Sequence, residues 1–594
     1  MRPRTEQLTG PTILTNYKEP FFSWLGFHAW FAQLGERLGP SRVGAYGVML
    51  LGALCPLIQL SAGGWPFNHE FLSFVSRSEV FARHFAAGDW LPVWSTLDNF
   101  GFGSPQPIFY HKLFYDVSGL ILWLTGSAKA ALAGAVVGFL ALGLVGIYRC
   151  LRDQGLAHLA AACGGVCFAL ANYSTTNWLV RGALAEFSAA MMLPWVLLYF
   201  LRLLQQRRSA VGLGVSLWLT FLGHSVLAYY AGLLLAFVFL LKNGWWLASS
   251  GHSGDSGRWS VVRSQVIRAL GASMLFLFLC APWLAALHAF SQDYDIARIL
   301  ADDFLPRNQF QPWWRYIWDG NYHFGEHWDH YTVQLDMALL VLAVAAGASL
   351  GVKRQKLAVA APLLLMMAAA LVLQLPLAAP FYSYFPGAAF IQFPWRLLAL
   401  LTPCLVLLAF VAANQAWEKS WPALAITFLV SMAQSGALAG LNYQRFSPAD
   451  MAQARTHLET ATGTFSAFGE YVDKQLPLAL VSTVAAVKTD APLRQAMATW
   501  LDERGCTVDM TAQAGEWQTA ELLVNCKAAG PVVLPLLTSP YWTLTANNAD
   551  LHCQSTNKLP GLCAVQVTAG QTRIAARPPT LWSILQSLQQ SWSL

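Results

Sequence analysis

Charged residues are scarce in this sequence. Only 11% of its 594 residues are Asp, Glu, Lys or Arg, whereas about a quarter is usual for a soluble protein. Hydrophobic residues make up 56% of the chain, and the mean hydropathy is +0.43. This balance excludes an ordinary soluble domain and predicts a polytopic α-helical membrane protein.

Two other features are missing. No cleavable signal peptide is visible, because residues 1–43 are polar and aromatic, so we expect a cytoplasmic segment that could contain an interfacial helix near 21–38. Basic residues do not form an extended patch: the net charge of +6 lies in short clusters between apolar runs. Such clusters are typical of membrane topology signals, and no nucleic-acid partner is expected.

The transmembrane domain is predicted to cover residues 44–441. A helical span needs about 20 apolar residues, and about eleven such stretches are present. They lie near 44–63, 127–148, 156–172, 186–203, 210–224, 225–242, 269–290, 334–351, 357–376, 396–414 and 421–441.

Alternate loops collect the basic residues. One set of loops contains Arg149, Arg152, Arg202, Arg207, Arg208, Lys242, Arg258, Arg263, Arg268, Lys353, Arg354 and Lys356. The positive-inside rule assigns this set to the cytoplasm, so the long loops 64–126 and 291–333 face outward. We therefore predict a multi-pass protein of the bacterial cytoplasmic (inner) membrane with a cytoplasmic N-terminus.

Residues 442–594 have a different composition. Short alternating stretches such as ELLVNC and CAVQV predict a small β-rich domain, which is extracytoplasmic by span count. Four of the ten cysteines lie in this domain, and an even set outside the membrane predicts disulfides. Sequence proximity favours the pairs Cys506–Cys526 and Cys553–Cys563, and the spacings do not fit paired CxxC zinc knuckles.

The first outer loop contains FNHEFLSFVSRSEVFARHFAAGDWLPVW, residues 67–94. Apolar residues at three- and four-residue spacing over 71–87 predict an amphipathic helix along the membrane surface, ended by Gly88. Glu70 precedes this helix. From the residues alone, Glu70 is more typical of a solvated carboxylate, or of an ion pair with Arg77 or Arg83, than of a catalytic acid.

Three stretches resemble one family. The segment from Glu70 through AAGDWLPVW to NFGFGSPQPIFY resembles the first outer loop of the bacterial membrane proteins described as 6-pyruvoyl-tetrahydropterin-synthase-related. VRGALAEFSAAMMLPWVLL (180–198) and AFIQFPWRLL (389–398) resemble its Arg-Gly-Ala-x-x-Glu and Gln-Phe-Pro-Trp-Arg elements. That family is similar to the YfhO-type glycosyltransferases and the GT-C superfamily. The resemblance covers about residues 64 to 400, but Glu70 stands where the family usually has Asp, and Phe74 where it has His.

The resemblance implies a membrane glycosyltransferase. Such an enzyme transfers a sugar from a polyprenyl-phosphate donor to an envelope glycan, lipid or protein outside the membrane. Glu70 would take the acceptor's proton, with Glu186 as a second candidate acid, and Arg181 and Arg396 would bind the donor phosphate. The residues alone are equally compatible with a structural Arg181–Glu186 pair, and with Arg396 as a headgroup anchor.

The second outer loop contains HFGEHWDH, residues 323–330. This string fits the H-x-x-E-H pattern of one metalloprotease class, but Gly325 and the preceding Asp-Gly-Asn disfavour the required helix. The loop is either a polar cap over the active cleft or a contact surface for a divalent ion or a sugar. The candidate contacts are His323, His327, Asp329 and His330, with Trp314, Trp313, Trp318 and Trp328 as stacking or membrane-interface residues.

A second hypothesis is a non-catalytic membrane component of an envelope polysaccharide assembly or export system. Its terminal domain would then dock partner proteins. The departure at Phe74 favours this alternative, whereas Glu70, Arg181, Glu186 and Arg396 favour the transferase. Ion-coupled transport is disfavoured because the middles of the spans carry almost no ionisable residues. No cofactor is assigned beyond a candidate divalent metal ion.

Overall fold

The structure is a computed structural model. It describes residues 40–63, 65–66, 68, 71–96, 98, 103–207, 209–248, 256–292, 294, 304–319, 332–350, 354–413, 425–435, 443–444, 506–511, 520–547, 549–555 and 561–592. The predicted segment 1–43 therefore lies almost entirely outside the described residues.

Helices dominate the membrane part, as the composition predicts. They are α1 (Pro40–Gly63), α2 (Phe71–Ala86), α3 (Gln106–Phe109), α4 (Leu113–Thr125), α5 (Ala128–Asp153), α6 (His158–Ala169), α7 (Asn172–Thr175), α8 (Leu184–Leu204), α9 (Ala210–Gly223), α10 (Ser225–Ala248), α11 (Ser256–Ser291), α12 (Met337–Leu350), α13 (Arg354–Val372), α14 (Ala379–Tyr384), α15 (Leu398–Ala413) and α16 (Ala425–Ser435). A π-helical turn, Thr176–Val180, continues α7, and short 3-10 turns cover Pro306–Asn308, Trp313–Tyr316, Pro376–Ala378, Ala388–Ile391 and Pro394–Leu397.

Each of the eleven predicted stretches overlaps one of these helices. Five described segments are long and apolar enough to cross a membrane: Ala128–Asp153, Leu184–Leu204, Ser225–Ala248, Arg258–Ser291 and Pro394–Ala412. A sixth is the pair Val359–Val372 and Pro376–Tyr384, which is bent by 83°. The chain is therefore a multi-pass membrane protein. The count of eleven stays a prediction, because α6, α9 and α16 have 10 to 17 residues and a helix rises only about 1.5 Å per residue.

Several basic loop residues meet at one end of the helices. Arg202 at the end of α8 forms an ion pair of 2.5 Å with Asp153 at the end of α5, and Arg207 pairs with the same carboxylate at 3.0 Å. Gln265 near the start of α11 donates to the carbonyl of Leu204 at 2.9 Å. The loops after α5 and α8 and the start of α11 therefore share one side, as the alternation of basic loops predicts.

Two short strands, one after the first helix and one after the last described helix of the membrane part, pair with each other. β1 (Trp65–Pro66) follows α1, and β2 (Tyr443–Gln444) lies beyond α16; the two pair antiparallel. The chain therefore leaves α1 and enters its terminal part on the same side of the membrane. That this side is extracytoplasmic stays a prediction from the loop charges.

The terminal part is β-rich, as predicted. Its strands are β3 (Thr507–Thr511), β4 (Ala520–Cys526), β5 (Gly530–Leu537), β6 (Thr543–Ala546), β7 (Ala549–Leu551), β8 (Gln554–Ser555), β9 (Leu562–Val567) and β10 (Gly570–Arg577), followed by helix α17 (Leu581–Trp592). They form one sheet of order β3-β4-β10-β6-β7 and one of order β5-β9-β8. Both predicted disulfides are confirmed: Cys506 is bonded to Cys526 and Cys553 to Cys563.

The β-rich part packs on the first outer loop and the end of α11. Trp94, which is fully buried, contacts the ring of Trp542 at 5.4 Å and that of Phe290 at 6.0 Å. Tyr294 donates its hydroxyl proton to the carbonyl of Thr538 at 3.2 Å. These aromatic residues and the sheets share one hydrophobic core, so burial of apolar surface holds the β-rich part against the membrane part.

The helix predicted after Glu70 is present as α2, but Ser76, Arg77 and His84 outside its apolar face are buried as well. That α2 lies along the membrane surface stays a prediction. The predicted apolar face of α2 is buried at every position whose side chain is described: Phe74, Val75, Ser78, Phe81, Ala82 and Phe85. This face packs against α4, so closely that a Cβ on Gly119 would lie 2.5 Å from the Cβ of Phe81. Gly88, with φ of +82°, follows the helix at the position expected for a left-handed terminator.

Candidate functional site

Glu186 lies in the first turn of α8, where the chain reverses after the π-helical turn. Gly182, at φ of +69°, makes this reversal. Glu186 is only 2% exposed, and an isolated buried carboxylate would be costly unless its charge were matched. The partners of Glu186 therefore determine what this position can do.

Glu186 is held by a dense set of donors. Arg181 donates to both carboxylate oxygens, from Nη1 to Oε1 and from Nη2 to Oε2, each at 3.2 Å. Tyr173 donates its hydroxyl proton to Oε1, and the side-chain amide of Asn177 donates to the same oxygen at 3.3 Å. The ion pair that the sequence left as one of two alternatives is therefore present.

A second arginine reaches this carboxylate from a distant part of the chain. Arg396 lies in the Pro394–Leu397 turn, and its Nε is 3.2 Å from Oε2 of Glu186. Its Nη1 donates to the carbonyl of Ile391 at 3.0 Å and to Oε1 of Gln392 at 3.1 Å. Gln392 has φ of +60°, an unusual conformation for a non-glycine residue that is often found near functional sites.

The Gln-Phe-Pro-Trp-Arg element thus meets the Arg-Gly-Ala-x-x-Glu element. The ring of Trp395 also lies under the guanidinium of Arg181, with 4.3 Å from Cζ to the ring centroid. The three charged side chains carry two positive charges and one negative charge. This net positive cluster can attract an anion, and arginines are suited to a phosphate.

The geometry favours a positioning role for Glu186. Tyr173, Asn177 and Nη1 of Arg181 all donate to Oε1 of Glu186, and Nη2 of Arg181 donates to Oε2. Arg396 is an ion-pair partner at 3.2 Å and not a donor, because its Nε has no hydrogen-bond partner among the described residues. These contacts hold the carboxylate where it can orient both arginines. Its role as a second catalytic acid stays a prediction.

Five more side chains lie beside this cluster. The rings of His111 and His224 stack at 4.1 Å with an interplanar angle of 16°, and Nε2 of His111 is 2.9 Å from Oγ of Ser225. Arg77 of α2 stacks on Tyr110 at 3.7 Å. Burial and the nearby charge of Arg396 lower the pKa of His111 to about 3, so this ring is neutral at physiological pH.

Sequence reasoning missed this half of the site. His224 resembles an ordinary packing residue, and His111 lies in an aromatic stretch with no recognisable motif. The only signal available was that His224 lies at a predicted outer end of two spans and His111 in the first predicted outer loop, so that both lie on the predicted outer side. Their stacking depends on how two distant loops pack.

Of the remaining residues predicted for catalysis and substrate contact, Trp314 is described. It lies in a 3-10 turn and is 56% exposed. Phe74, at the position where the family usually has His, is 1% exposed and packs edge-on against Phe114 at 6.2 Å. Glu70, His323, His327, Asp329 and His330 lie outside the described residues.

No cluster of three or more metal-ligating side chains occurs among the residues that the structure describes. The described half of the site is dominated by arginines, which are not ligands for a cation. A divalent metal ion stays a prediction.

Comparison with known proteins identified solved structures only. No family model and no curated protein matches the chain. The chain is similar to the arabinofuranosyltransferase AftD from Mycobacteria, with 18% identity and a TM-score of 0.45 over 89% of this chain and 40% of that one. It is also similar to the oligosaccharyltransferase AglB from Archaeoglobus fulgidus, with 12% identity and a TM-score of 0.41 over 70% and 59%.

A third similar structure is ArnT from Cupriavidus metallidurans, with 17% identity and a TM-score of 0.38 over 78% of this chain and 72% of that one. The chain thus spans less than two thirds of AftD and of AglB. All three TM-scores lie below 0.5, and these likenesses carry no assignment of function to this chain.

Proposed function

We propose that the protein is a GT-C-type membrane glycosyltransferase that uses a polyprenyl-phosphate sugar donor. Its acceptor would be an envelope glycan, lipid or protein on the outer side of the cytoplasmic membrane. The observation that carries the proposal is the pair of arginines, buried Arg181 and partly buried Arg396, held on Glu186 with a net positive charge. Both elements of this cluster are ones that the sequence resemblance singles out.

The cluster suits the leaving group of such a reaction. In the transfer, the acceptor oxygen forms a bond to the anomeric carbon while the bond from that carbon to the phosphate oxygen breaks. The phosphate leaves with the electron pair, and Arg181 and Arg396 stabilise the charge that develops. The acceptor's proton goes to a base, for which Glu70 is the candidate that the family resemblance implies.

The position of the cluster fits a lipid substrate. Arg396 immediately precedes α15, and Glu186 is in the first turn of α8; both helices are candidate membrane spans. A lipid phosphate lies at the level of helix ends, with its hydrocarbon tail along the spans. An anion site at two helix ends can therefore bind a headgroup without drawing it into the apolar core.

Complementation of a deletion strain tests whether the protein transfers a sugar. The gene is deleted in its native host and restored as the native protein, Arg396→Gln, Glu70→Gln or a control, Arg573→Gln, at matched levels. Arg573 makes only an exposed pair with Glu521 at 3.6 Å. Envelope glycans and polyprenyl-linked sugars are then measured by mass spectrometry.

We expect the native protein and the Arg573 variant to restore a sugar modification. Both other variants should leave it missing and accumulate the donor lipid. If all four proteins restore the same profile, neither Arg396 nor Glu70 takes part in transfer. The non-catalytic assembly component would then be the better hypothesis.

A further inference from the structure

His224 is the single residue between α9 and α10, and it takes part in both helix ends. Its backbone N–H donates to the carbonyl of Thr220 at 2.7 Å, and its carbonyl accepts from the N–H of Ala228 at 3.1 Å. Its ring atom Nδ1 accepts the N–H of Leu227 at 3.3 Å. The side chain therefore caps the start of α10 through one ring nitrogen only.

The cap determines the tautomer of this ring. A neutral imidazole has one donor and one acceptor nitrogen, so Nδ1 as the acceptor assigns the proton to Nε2. Stacking on His111 holds the plane of the ring. His224 is 5% exposed, and its Nε2 has no hydrogen-bond partner among the described residues. Nε2 is not one of the fully enclosed unpartnered atoms in the described part of the chain, so its N–H can be reached by a ligand and can donate to it.

The histidine pair adds a hydrogen-bond donor to the arginine cluster and no charge. Arg181 and Arg396 act electrostatically on His224, and Arg77 and Arg396 act on His111, with Glu186 as the opposing carboxylate. A neutral imidazole beside these arginines adds a directed donor without adding charge. Such a donor suits an uncharged oxygen, whereas the arginines suit the phosphate.

We infer that Nε2–H of His224 donates a hydrogen bond to an uncharged sugar oxygen of the donor whose phosphate Arg181 and Arg396 bind. The inference rests on the proposed function and adds a sugar-binding residue to it. A sugar is joined to the phosphate through its anomeric carbon, so its hydroxyl oxygens lie next to the phosphate site. His224 is thus a positioning residue for the sugar, and His111 holds its ring.

Substitution of His224 by Asn separates this role from the helix cap. Asn is a favourable N-cap residue, and its short side chain can still accept the N–H of Leu227 while Nε2–H is removed. His224→Gln is the complementary variant: it is a poorer cap, but its amide N–H reaches toward the position of Nε2. His158→Asn is the matched control, since His158 bonds Tyr148 and Arg42 near the start of α6.

The measurement is lipid binding without turnover. Each purified, delipidated protein is incubated at 4 °C with polyprenyl-phosphate lipids extracted from the deletion strain, with no acceptor present. The retained lipids are quantified by mass spectrometry as the ratio of sugar-bearing lipid to bare polyprenyl phosphate. Melting temperatures of all variants are recorded in parallel.

We expect His224→Asn to melt like the native protein and to lower this ratio about tenfold, the size of one good hydrogen bond. His224→Gln should recover part of the ratio, and His158→Asn should leave it unchanged. An unchanged ratio in a folded His224→Asn protein overturns the inference while the proposed function stands. If the native protein retains neither lipid above the level of Arg396→Gln, the proposed function fails and the inference fails with it.

Discussion

Replacement of Glu186 by Gln tests whether one carboxylate organises the cluster. The substitution preserves shape, so it creates almost no cavity and removes chiefly the negative charge. Arg181, at two hydrogen bonds of 3.2 Å, and Arg396, at 3.2 Å, would both lose their counter-ion. Two guanidinium groups would then remain close together in a buried site.

The expected cost is large. Breaking a buried ion pair by removing one partner typically costs about 3–5 kcal/mol, because the remaining charge stays buried without compensation. Glu186 is 2% exposed, so solvent screening gives little relief. The hydroxyl of Tyr173 and the amide of Asn177 can still bond the Gln oxygen, which favours the lower end of this range. We expect a loss of about 3 kcal/mol in unfolding free energy.

Reversible unfolding in mixed detergent micelles measures this difference. Glu521→Gln is the matched control, because its pair with Arg573 is 3.6 Å long and largely exposed; we expect a change of less than about 1 kcal/mol there. Undecaprenyl phosphate should stabilise Glu186→Gln more than the native protein, because its phosphate supplies the missing negative charge. At 100 times Kd the gain from a bound ligand is about 2.7 kcal/mol.

Two results would refute this reasoning. If Glu186→Gln unfolds at the native denaturant concentration, the arginines do not depend on the carboxylate, and the cluster is not an ion network. If the variant is destabilised but undecaprenyl phosphate gives no greater gain than with the native protein, the arginines are a structural tie with no affinity for a lipid phosphate.

Three further outcomes are expected. Arg396→Lys should fold but lower transfer at least tenfold, because lysine cannot bond the carboxylate and the preceding turn together; native activity would contradict this. Gly223→Ala should destabilise the protein by about 1–3 kcal/mol and lower its melting temperature, since the added Cβ would lie 2.9 Å from the backbone of α8. Gly232→Ala should leave the melting temperature unchanged, because no neighbouring atom of the described residues lies within 4 Å of the added Cβ. For Asp89, burial opposes ionisation, but the hydrogen bond and charge of His84 hold its pKa below the ordinary value. A lowered acid pKa stabilises the fold above about pH 4 and loses this effect below it, so Asp89→Asn should be less stable than the native protein at pH 7 and equal to it in acid.

The sequence alone determined the features that depend on local pattern. Apolar runs predicted the positions of eleven helices, and three- to four-residue spacing predicted α2 and its buried face. Short alternating strands predicted the β-rich part, and proximity was enough to pair the four cysteines correctly. The Arg181–Glu186 pair was also within reach, because only a short turn separates the two residues and their elements were already motifs.

The sequence predicted less well where each helix ends and whether it is long enough to cross the membrane. Hydropathy detects apolar runs but not where a helix ends, and α6 and α9 end before they reach the length of a span. The bend of 83° between α13 and α14 likewise depends on packing against neighbouring helices. A sequence window contains no information on these contacts.

Which residues meet at the site is determined only by the tertiary structure. Arg396 reaches Glu186 because the turn before α15 packs against the start of α8, and His111 stacks on His224 because the first outer loop lies over the corner between α9 and α10. Phe74 is likewise a core residue because α2 packs against α4. Buried polar groups need partners wherever in the chain these are found, and it is the packing of helices, rather than sequence order, that determines which partners meet.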